Sequence, residues 1–349
     1  MNARPDVLHV SLGTTFGLRV ADSQLVLSLR VAGATVEVVA VGLGALDVAR
    51  KGYPINDWIE AVAARQTIAS AARRLTPRTV IVSTTTAALL APPLDGPYAV
   101  RLDATASINR PGLRNAPQRL LERRRLAAAR LVIPFSHAAE RLLPAGCAPS
   151  IVVPPPTRID GHPRDERDRL AVAYVPDARA KGLDIVCEAW AAAPIPDARL
   201  ELFGIEEAEG RRQLRRRRVA VPAGVRWRGR TSAQEFRAAL GRAHVMVQGA
   251  RWEDYGQAPL EALAHGALLA TVPSGGAYEA LTIVRRLAPE LVAPDLRPES
   301  LGACLRRAFE LDDGRARAVR AAGTGALAPY APDAVQRTVS ERLLPALLA

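Results

Sequence analysis

Apolar residues along this chain fall into two alternating patterns. Short runs rich in Val, Ile and Leu appear at "DVLHVSL" (6–12), "TVEVVAV" (35–41), "TVIVST" (79–84), "YAVRLD" (98–103) and "ARLVIPFS" (129–136). Runs of that length and composition predict strands, and "TVEVVAV" reads as a buried one. Between them, apolar residues recur at helical spacing. Leu25 and Leu29 mark one face of a helix that Asp22 or Ser23 can cap and Gly33 can close. Further helices fit 57–75 and 117–125. A strand, a loop through Gly13 and Gly17, a helix and a second strand make a β-α-β unit. Its continuation predicts an α/β domain with a doubly wound parallel sheet.

The pattern breaks at "SIVVPPPTRIDGHPRDERD" (150–168). Three prolines, a glycine and a charged run read as a linker with a hinge near 155–168. A second alternation follows. Strands are expected at "LAVAYV" (170–175), "ARLELFG" (198–204), "VRWRG" (225–229), "AHVMVQG" (243–249) and "ALLATV" (267–272). Helices are expected after Lys181-Gly182, over 300–310 and over 333–348. Two α/β halves of this kind place ligands outside the carboxyl ends of their strands, in the cleft where they face one another.

Composition refines this picture. At 349 residues, 49% of them hydrophobic, the chain is long enough for two cores. No apolar stretch of about 20 residues is present to span a membrane, and the first residues lack the apolar centre of a signal peptide. Three widely spaced cysteines suit a reducing cytoplasm and small core positions. The net charge of +12 invites a polyanionic partner, yet all but two of the 47 basic residues are arginine. That skew, beside the high alanine content, looks like GC-rich coding. Aromatic residues, at 4%, are too few for a nucleic-acid surface. Contact with an anionic membrane stays open for "RRQLRRRR" (211–218) and "LLERRRLAAARL" (120–131), whose plainer readings are a solvated face and a helix packed on its sheet. The five histidines form no metal cluster, and no Asp-x-Asp pair is present to hold an ion.

Two glutamate pairs share one spacing: Glu201 with Glu209, and Glu253 with Glu261. The first lies in strand and charged helix text and reads as solvated charge. Glu253 follows a strand, in the loop at its carboxyl end. Pro259 suits the first position of the next helix and Gly266 its end, which puts Glu261 in the first turn. Backbone N–H groups at such a helix start hold anions, and neighbouring carboxylates accept hydrogen bonds from sugar hydroxyls. The alternative for Glu261 is a carboxylate that favours the helix dipole and nothing more.

The stretch "EDYGQAPLEALAHGALLATVPSGGAYE" (253–279) resembles the "EGFG…LEAMA.G.PVVAS…GG..E" segment of retaining glycosyltransferases of the GT-B fold, family GT4. "AYVPDARAKGLDIVCEAW" and "FSHAAERLLPAG" are similar to the segments that open the second domain and precede the linker. The resemblance implies a GT-B architecture: two Rossmann-like domains facing a cleft. They are an acceptor-binding domain over 1–162 and a nucleotide-sugar donor domain over 163–332. "VSERLLPALLA", within 333–349, corresponds to a C-terminal helix returning to the first domain.

By the same resemblance, Glu261 would hold ribose hydroxyls and Glu253 the hydroxyls of the donor sugar. Backbone N–H groups at Tyr255, Gly256 and Gln257 would meet the sugar or its phosphate. Lys181 would neutralise the departing diphosphate, as charge developing on a leaving group requires. A chain that writes nearly every base as Arg yet keeps Lys here is consistent with a need for a compact ammonium; a chance survivor of the coding bias is the alternative. The "GTTFG" loop, with Gly13 and Gly17, would approach the same diphosphate. The family needs no bound metal and no cofactor beyond the donor substrate.

Two departures stand out. Pro176-Asp177 replaces the family's Gly-Arg before the lysine, leaving Arg179 or Arg158 as sources of a second cation. Asp103 stands where the family often has His. It reads either as an acceptor contact or as an Asx turn at a strand end. The expected protein is a cytoplasmic retaining glycosyltransferase, peripheral at the inner face of a bacterial membrane or free of it. It takes a nucleotide sugar and a glycan, lipid or small-molecule acceptor, and no nucleic acid. The alternatives are a catalytically degenerate sugar-nucleotide-binding partner and a sugar-nucleotide epimerase.

Overall fold

The computed structural model describes residues 4–159 and 167–349. The middle of the expected linker and the boundary expected at 162 lie outside the described residues. Two compact units are present: Met1–Pro156 with Pro332–Ala349, and Thr157–Ala331. Each is a Rossmann-like domain built on a five-stranded parallel sheet flanked by helices.

The first unit contains β1 (Val7–Ser11), β2 (Val36–Ala40), β3 (Thr79–Ser83), β4 (Tyr98–Leu102) and β5 (Leu131–Pro134), in the order β2-β1-β3-β4-β5. Central β1 and β3 are buried along their whole length, as strands covered on both faces must be. β2 is formed, but only Val36 is buried. It is an edge strand, so the expectation of a buried strand is corrected. The run is apolar, and only its place in the sheet exposes it.

Helix Phe16–Val31 begins six residues before the expected cap. Thr15 caps it, its hydroxyl oxygen accepting the Leu18 N–H at 3.2 Å. Gly17 is therefore in the first helical turn, and Gly13 alone of the two shapes the loop, at φ +56°. Asp22 and Ser23 are interior to the helix. Ser23 donates back to the Arg19 carbonyl at 2.9 Å, and Asp22 points into the unit. Leu25 and Leu29 do face the core.

The terminal segment Pro332–Leu348 is helical with a π-type stretch at Val339–Leu343. Its Val335, Val339, Leu343 and Leu347 are buried in one cluster with Val7, Leu25, Leu29, Ile81 and Ile133. Each such side chain contributes about 1.5–3 kcal/mol by leaving water. The end of the chain thus completes the core of the domain that begins it.

The second unit contains β6 (Asp168–Tyr174), β7 (Arg199–Phe203), β8 (Val225–Gly229), β9 (Ala243–Gln248) and β10 (Leu268–Thr271), in the order β10-β9-β6-β7-β8. The order reverses between β6 and β9, which start from neighbouring positions and lead to opposite edges. That is the topological switch point where open α/β sheets leave a crevice. Glu201 on β7 is buried, with Arg199 at 3.4 Å and Arg228 at 3.9 Å, so it is a paired interior charge. The expectation that it is solvated is corrected. Glu209, on helix Glu207–Arg217, is partly exposed.

Candidate functional site

Three loops meet at the carboxyl ends of β6, β9 and β10. The loop after β6 carries Lys181, the loop after β9 carries Glu253, and the third holds Gly275 and Gly276. Glycines let these backbones approach closely. A Cβ on Gly182 would lie 1.9 Å from the Gly249 carbonyl oxygen, and one on Gly276 would lie 2.3 Å from that of Glu253. Both residues also have positive φ, where side chains are strained. Gly256, at φ +82°, packs against the Tyr278 ring and the Glu253 side chain.

Hydrogen bonds then fix the loops. Arg251 grips Asp184 through both guanidinium arms (2.9 and 2.6 Å) and donates to the Arg179 carbonyl at 3.1 Å. Burial pushes the Asp184 carboxyl up, but Arg251 outweighs it and holds the group below the usual carboxylate range. The Glu253 N–H donates to the Gly275 carbonyl at 2.9 Å, and Ser274 donates to that of Ala250 at 2.6 Å.

Inside this frame Lys181 Nζ lies 2.6 Å from Glu253 Oε2, and Gln248 Nε2 donates to the same oxygen at 2.9 Å. Glu253 is almost buried, while the Lys181 side chain is about a quarter exposed. The partly exposed ammonium is thus held by a nearly buried carboxylate. Tyr278 is buried behind Gly256, and burial raises its phenol.

Helix Gln257–Ala264 starts beside this pair, with Gly256 as its cap. Pro259 is its third residue and Glu261 its fifth, a correction to the expected start at Pro259. The left-handed Gly256 turns the chain into the helix two residues sooner. Proline is tolerated there because the first turn's N–H groups have no helical acceptor. Glu261 therefore sits in the second turn. Burial raises its carboxyl, while Arg237 and a bond from Gln257 oppose the rise. Its charge in turn helps burial raise the Tyr174 phenol. Gln248, Tyr174, Arg237 and Tyr278 were not singled out in the sequence. Gln248 alone left a signal, as a polar residue ending the apolar run "AHVMVQG".

The departure at Pro176-Asp177 has a local structural account. Asp177 Oδ1 accepts the N–H groups of Arg179 and Ala180 at 2.9 and 2.8 Å. The carboxylate is spent on its own loop, whose backbone places Lys181. Arg179 is exposed on the same loop, and Tyr255 is buried ahead of Gly256.

Gly13, Gly17 and Asp103 belong to the first unit. Asp103 Oδ1 accepts the N–H of the next residue, Ala104, at 2.9 Å, just past the end of β4. Burial raises this carboxyl. Below Gly13 lies a sealed charged cluster. Asp22 accepts Ser11 Oγ at 2.5 Å, Ser83 Oγ at 2.7 Å and Arg101 Nη1 at 3.1 Å, with His9 Nε2 at 3.4 Å. Arg101 also lies 4.4 Å over the Phe135 ring. Burial would raise the Asp22 carboxyl, yet His9 and Arg101 prevail and bring it down to about 2.

Among the described residues, no group of three or more His, Cys, Asp or Glu is placed to hold a metal ion, and no helix is long and apolar enough to cross a membrane.

The family model described as "Glycosyl transferases group 1" matches residues 157–323, most of the second unit. No curated protein matches the sequence. Solved structures share the fold along almost the whole chain. Sucrose-phosphate synthase from Thermosynechococcus elongatus is 16% identical with a TM-score of 0.75, covering 97% of this chain and 98% of that one. A glycosyltransferase from Rickettsia africae is 13% identical with a TM-score of 0.69, covering 99% of both chains. HepE from Anabaena, solved with UDP-glucose, is 14% identical with a TM-score of 0.69, covering 97% of this chain and 98% of that one. The family model matches most of the second unit, and the whole chain shares the GT-B fold of these solved structures.

Proposed function

We propose that the protein is a retaining, GT4-like glycosyltransferase. It moves a sugar from a nucleotide-diphosphate donor to an acceptor hydroxyl in bacterial glycan, glycolipid or glycoconjugate synthesis, without a metal. The observation that carries this reading is the Lys181–Glu253 pair at the β6/β9 switch point, beside the start of helix Gln257–Ala264. Two unlike needs of a donor meet there. A diphosphate needs fixed positive charge and N–H dipoles, which Lys181, Arg179 and the N–H groups of Gly256 and Gln257 offer. A sugar needs acceptors for its hydroxyls, which Glu253 offers. Glu261 lies one turn further on and takes the ribose hydroxyls. A relative of the same fold was solved with UDP-glucose, in keeping with a nucleotide-sugar donor.

In this mechanism the glycosidic C–O bond to the diphosphate breaks as its charge is met by Lys181. The acceptor hydroxyl attacks the same face, and its proton passes to a departing phosphate oxygen. Asp103 and the Gly13 loop, in the first unit, are assigned to the acceptor side and the diphosphate respectively. The Pro176-Asp177 departure is what motivates the degenerate-partner alternative. Asp177 engages its own loop's N–H groups, and this weakens the case for it.

The test is thermal melting against UDP-, GDP-, ADP- and dTDP-sugars, for the wild type and Glu261→Ala. A donor at about 100 times its Kd stabilises the folded state by about 2.7 kcal/mol. The expected outcome is a rise with one nucleotide family that Glu261→Ala removes. No rise with any nucleotide sugar would sink the reading.

A further inference from the structure

The geometry points to an anionic-bilayer docking face on the first unit, formed by residues 44–57 and 110–124. Nine large apolar side chains are exposed among the described residues, and five lie on these two segments: Val48, Tyr53, Ile55, Leu113 and Leu120. Leu113 is 91% exposed and Val48 89%, so nothing in the unit covers them.

The two segments are held together as one surface. Arg110 lies 4.7 Å over the Tyr53 ring and binds both oxygens of Asp57, at 2.6 and 3.1 Å. Gln118 donates to the same carboxylate at 3.0 Å. On the other side, Arg50 binds the buried Glu60 at 3.2 Å, tying the turn Gly44–Ala49 to helix Ile55–Leu75.

Charge on this face is sorted by direction. The carboxylates of Asp57, Glu60 and Glu122 are buried, each bound to a partner within the unit. Asp47 is the exposed exception, 3.8 Å from Arg50. Lys51, Arg114, Arg123 and Arg124 are exposed, and among the described residues none has an acidic partner within ion-pair distance. Exposed apolar side chains interleaved with unpaired cations suit a bilayer interface carrying negative headgroups. The apolar groups enter the acyl boundary, Tyr53 sits at headgroup level, and the cations meet phosphates.

Helix Glu207–Arg217 in the second unit provides the contrast. It too is cationic, but it exposes no large apolar side chain and Arg211 pairs with Glu207 at 2.7 Å. It is a solvated face.

The experiment is co-sedimentation of the full chain with vesicles of phosphatidylcholine, and of phosphatidylcholine with phosphatidylglycerol added, at low salt. Binding only to the anionic vesicles is expected. Val48→Ser with Leu113→Ser weakens it about tenfold, since two partly inserted side chains are lost. Arg123→Gln with Arg124→Gln weakens it about fivefold per cation. Arg215→Gln with Arg216→Gln leaves it unchanged. These side chains are exposed, so melting temperatures and the donor-induced rise are retained, and failure here is read separately from failure of the donor site. Absence of binding to anionic vesicles overturns the inference. So does binding that survives Val48→Ser with Leu113→Ser but falls with the Arg215 and Arg216 changes, the signature of a general polyanion contact.

Discussion

Each unit of this protein holds an ion pair at the carboxyl ends of its strands, and the two are built to different ends. In the first unit Asp22 and Arg101 are both almost fully buried, and two serines and a histidine surround the carboxylate. In the second, Glu253 is nearly buried but Lys181 is about a quarter exposed, and Gln248 also donates to the carboxylate. A sealed pair with several partners offers nothing to a ligand and fixes the strands and helix that supply it. A partly exposed pair, set on glycine-bearing loops, can exchange one partner for a substrate. Burial and the number of partners, more than the presence of opposite charges, separate a structural pair from a candidate catalytic one.

This contrast can be broken most forcefully at Asp22. Asp22→Asn leaves Arg101 buried without its counter-ion, a loss of about 3–5 kcal/mol. Chemical denaturation should register it, while nucleotide-sugar binding by the second unit persists in the folded protein. A loss below 1 kcal/mol would remove the sealed pair from the structural class. Its pH dependence has a definite sign. The folded carboxyl lies near 2, below its unfolded value, so its contribution is present above about pH 4 and fades as pH falls through about 2.

Lys181→Ala is the opposite case. Loss of one charge that meets a leaving group costs roughly 10²–10³-fold in kcat, about 3–4 kcal/mol of transition-state stabilisation. Stability should change far less than for Asp22→Asn. A variant with undiminished turnover of the donor chosen by melting would exclude the role given to Lys181.

Acidification sharpens the comparison further. Burial raises the Glu261 carboxyl, so it takes up a proton at higher pH than an ordinary carboxylate. Ribose hydroxyls are best accepted by the ionised form. Donor KM should therefore climb as pH falls, starting above the usual carboxylate range, and the climb should vanish in Glu261→Gln. A KM that is flat over that range in the wild type would rule it out.

The smallest effect is expected at Asp177. Asp177→Ala removes two bonds to loop N–H groups and costs about 1 kcal/mol, the size of a lost cap. Turnover should fall modestly, because the loop that carries Lys181 loosens. A gain in turnover would mean that the carboxylate repels the diphosphate, and the loop-capping account would fail.

Much of this was legible in the chain. Alternating runs of Val, Ile and Leu with helical text located all ten strands among the described residues, because backbone periodicity is a local property. The stretch 253–279 pointed to the second-unit loops through its resemblance to a family segment, whereas the Glu253–Glu261 spacing, shared with Glu201–Glu209, did not by itself. What the sequence could not separate was edge from centre or sealed from open. Val38 in "TVEVVAV" and Val80 in "TVIVST" read alike, yet one is exposed on edge strand β2 and the other buried on β3.

Asp22 read as a cap and Glu201 as solvent charge, while both are interior ions: Asp22 meets Arg101 and Ser83, far along the chain, and Glu201 meets Arg228 as well as nearby Arg199. The sequence by itself determined the elements, the glycine loops and the residue types available for sugar-nucleotide chemistry. Only the tertiary structure decided which charges meet. Ion pairing depends on distances between segments tens of residues apart, and those are set by strand order and packing, which no local pattern encodes.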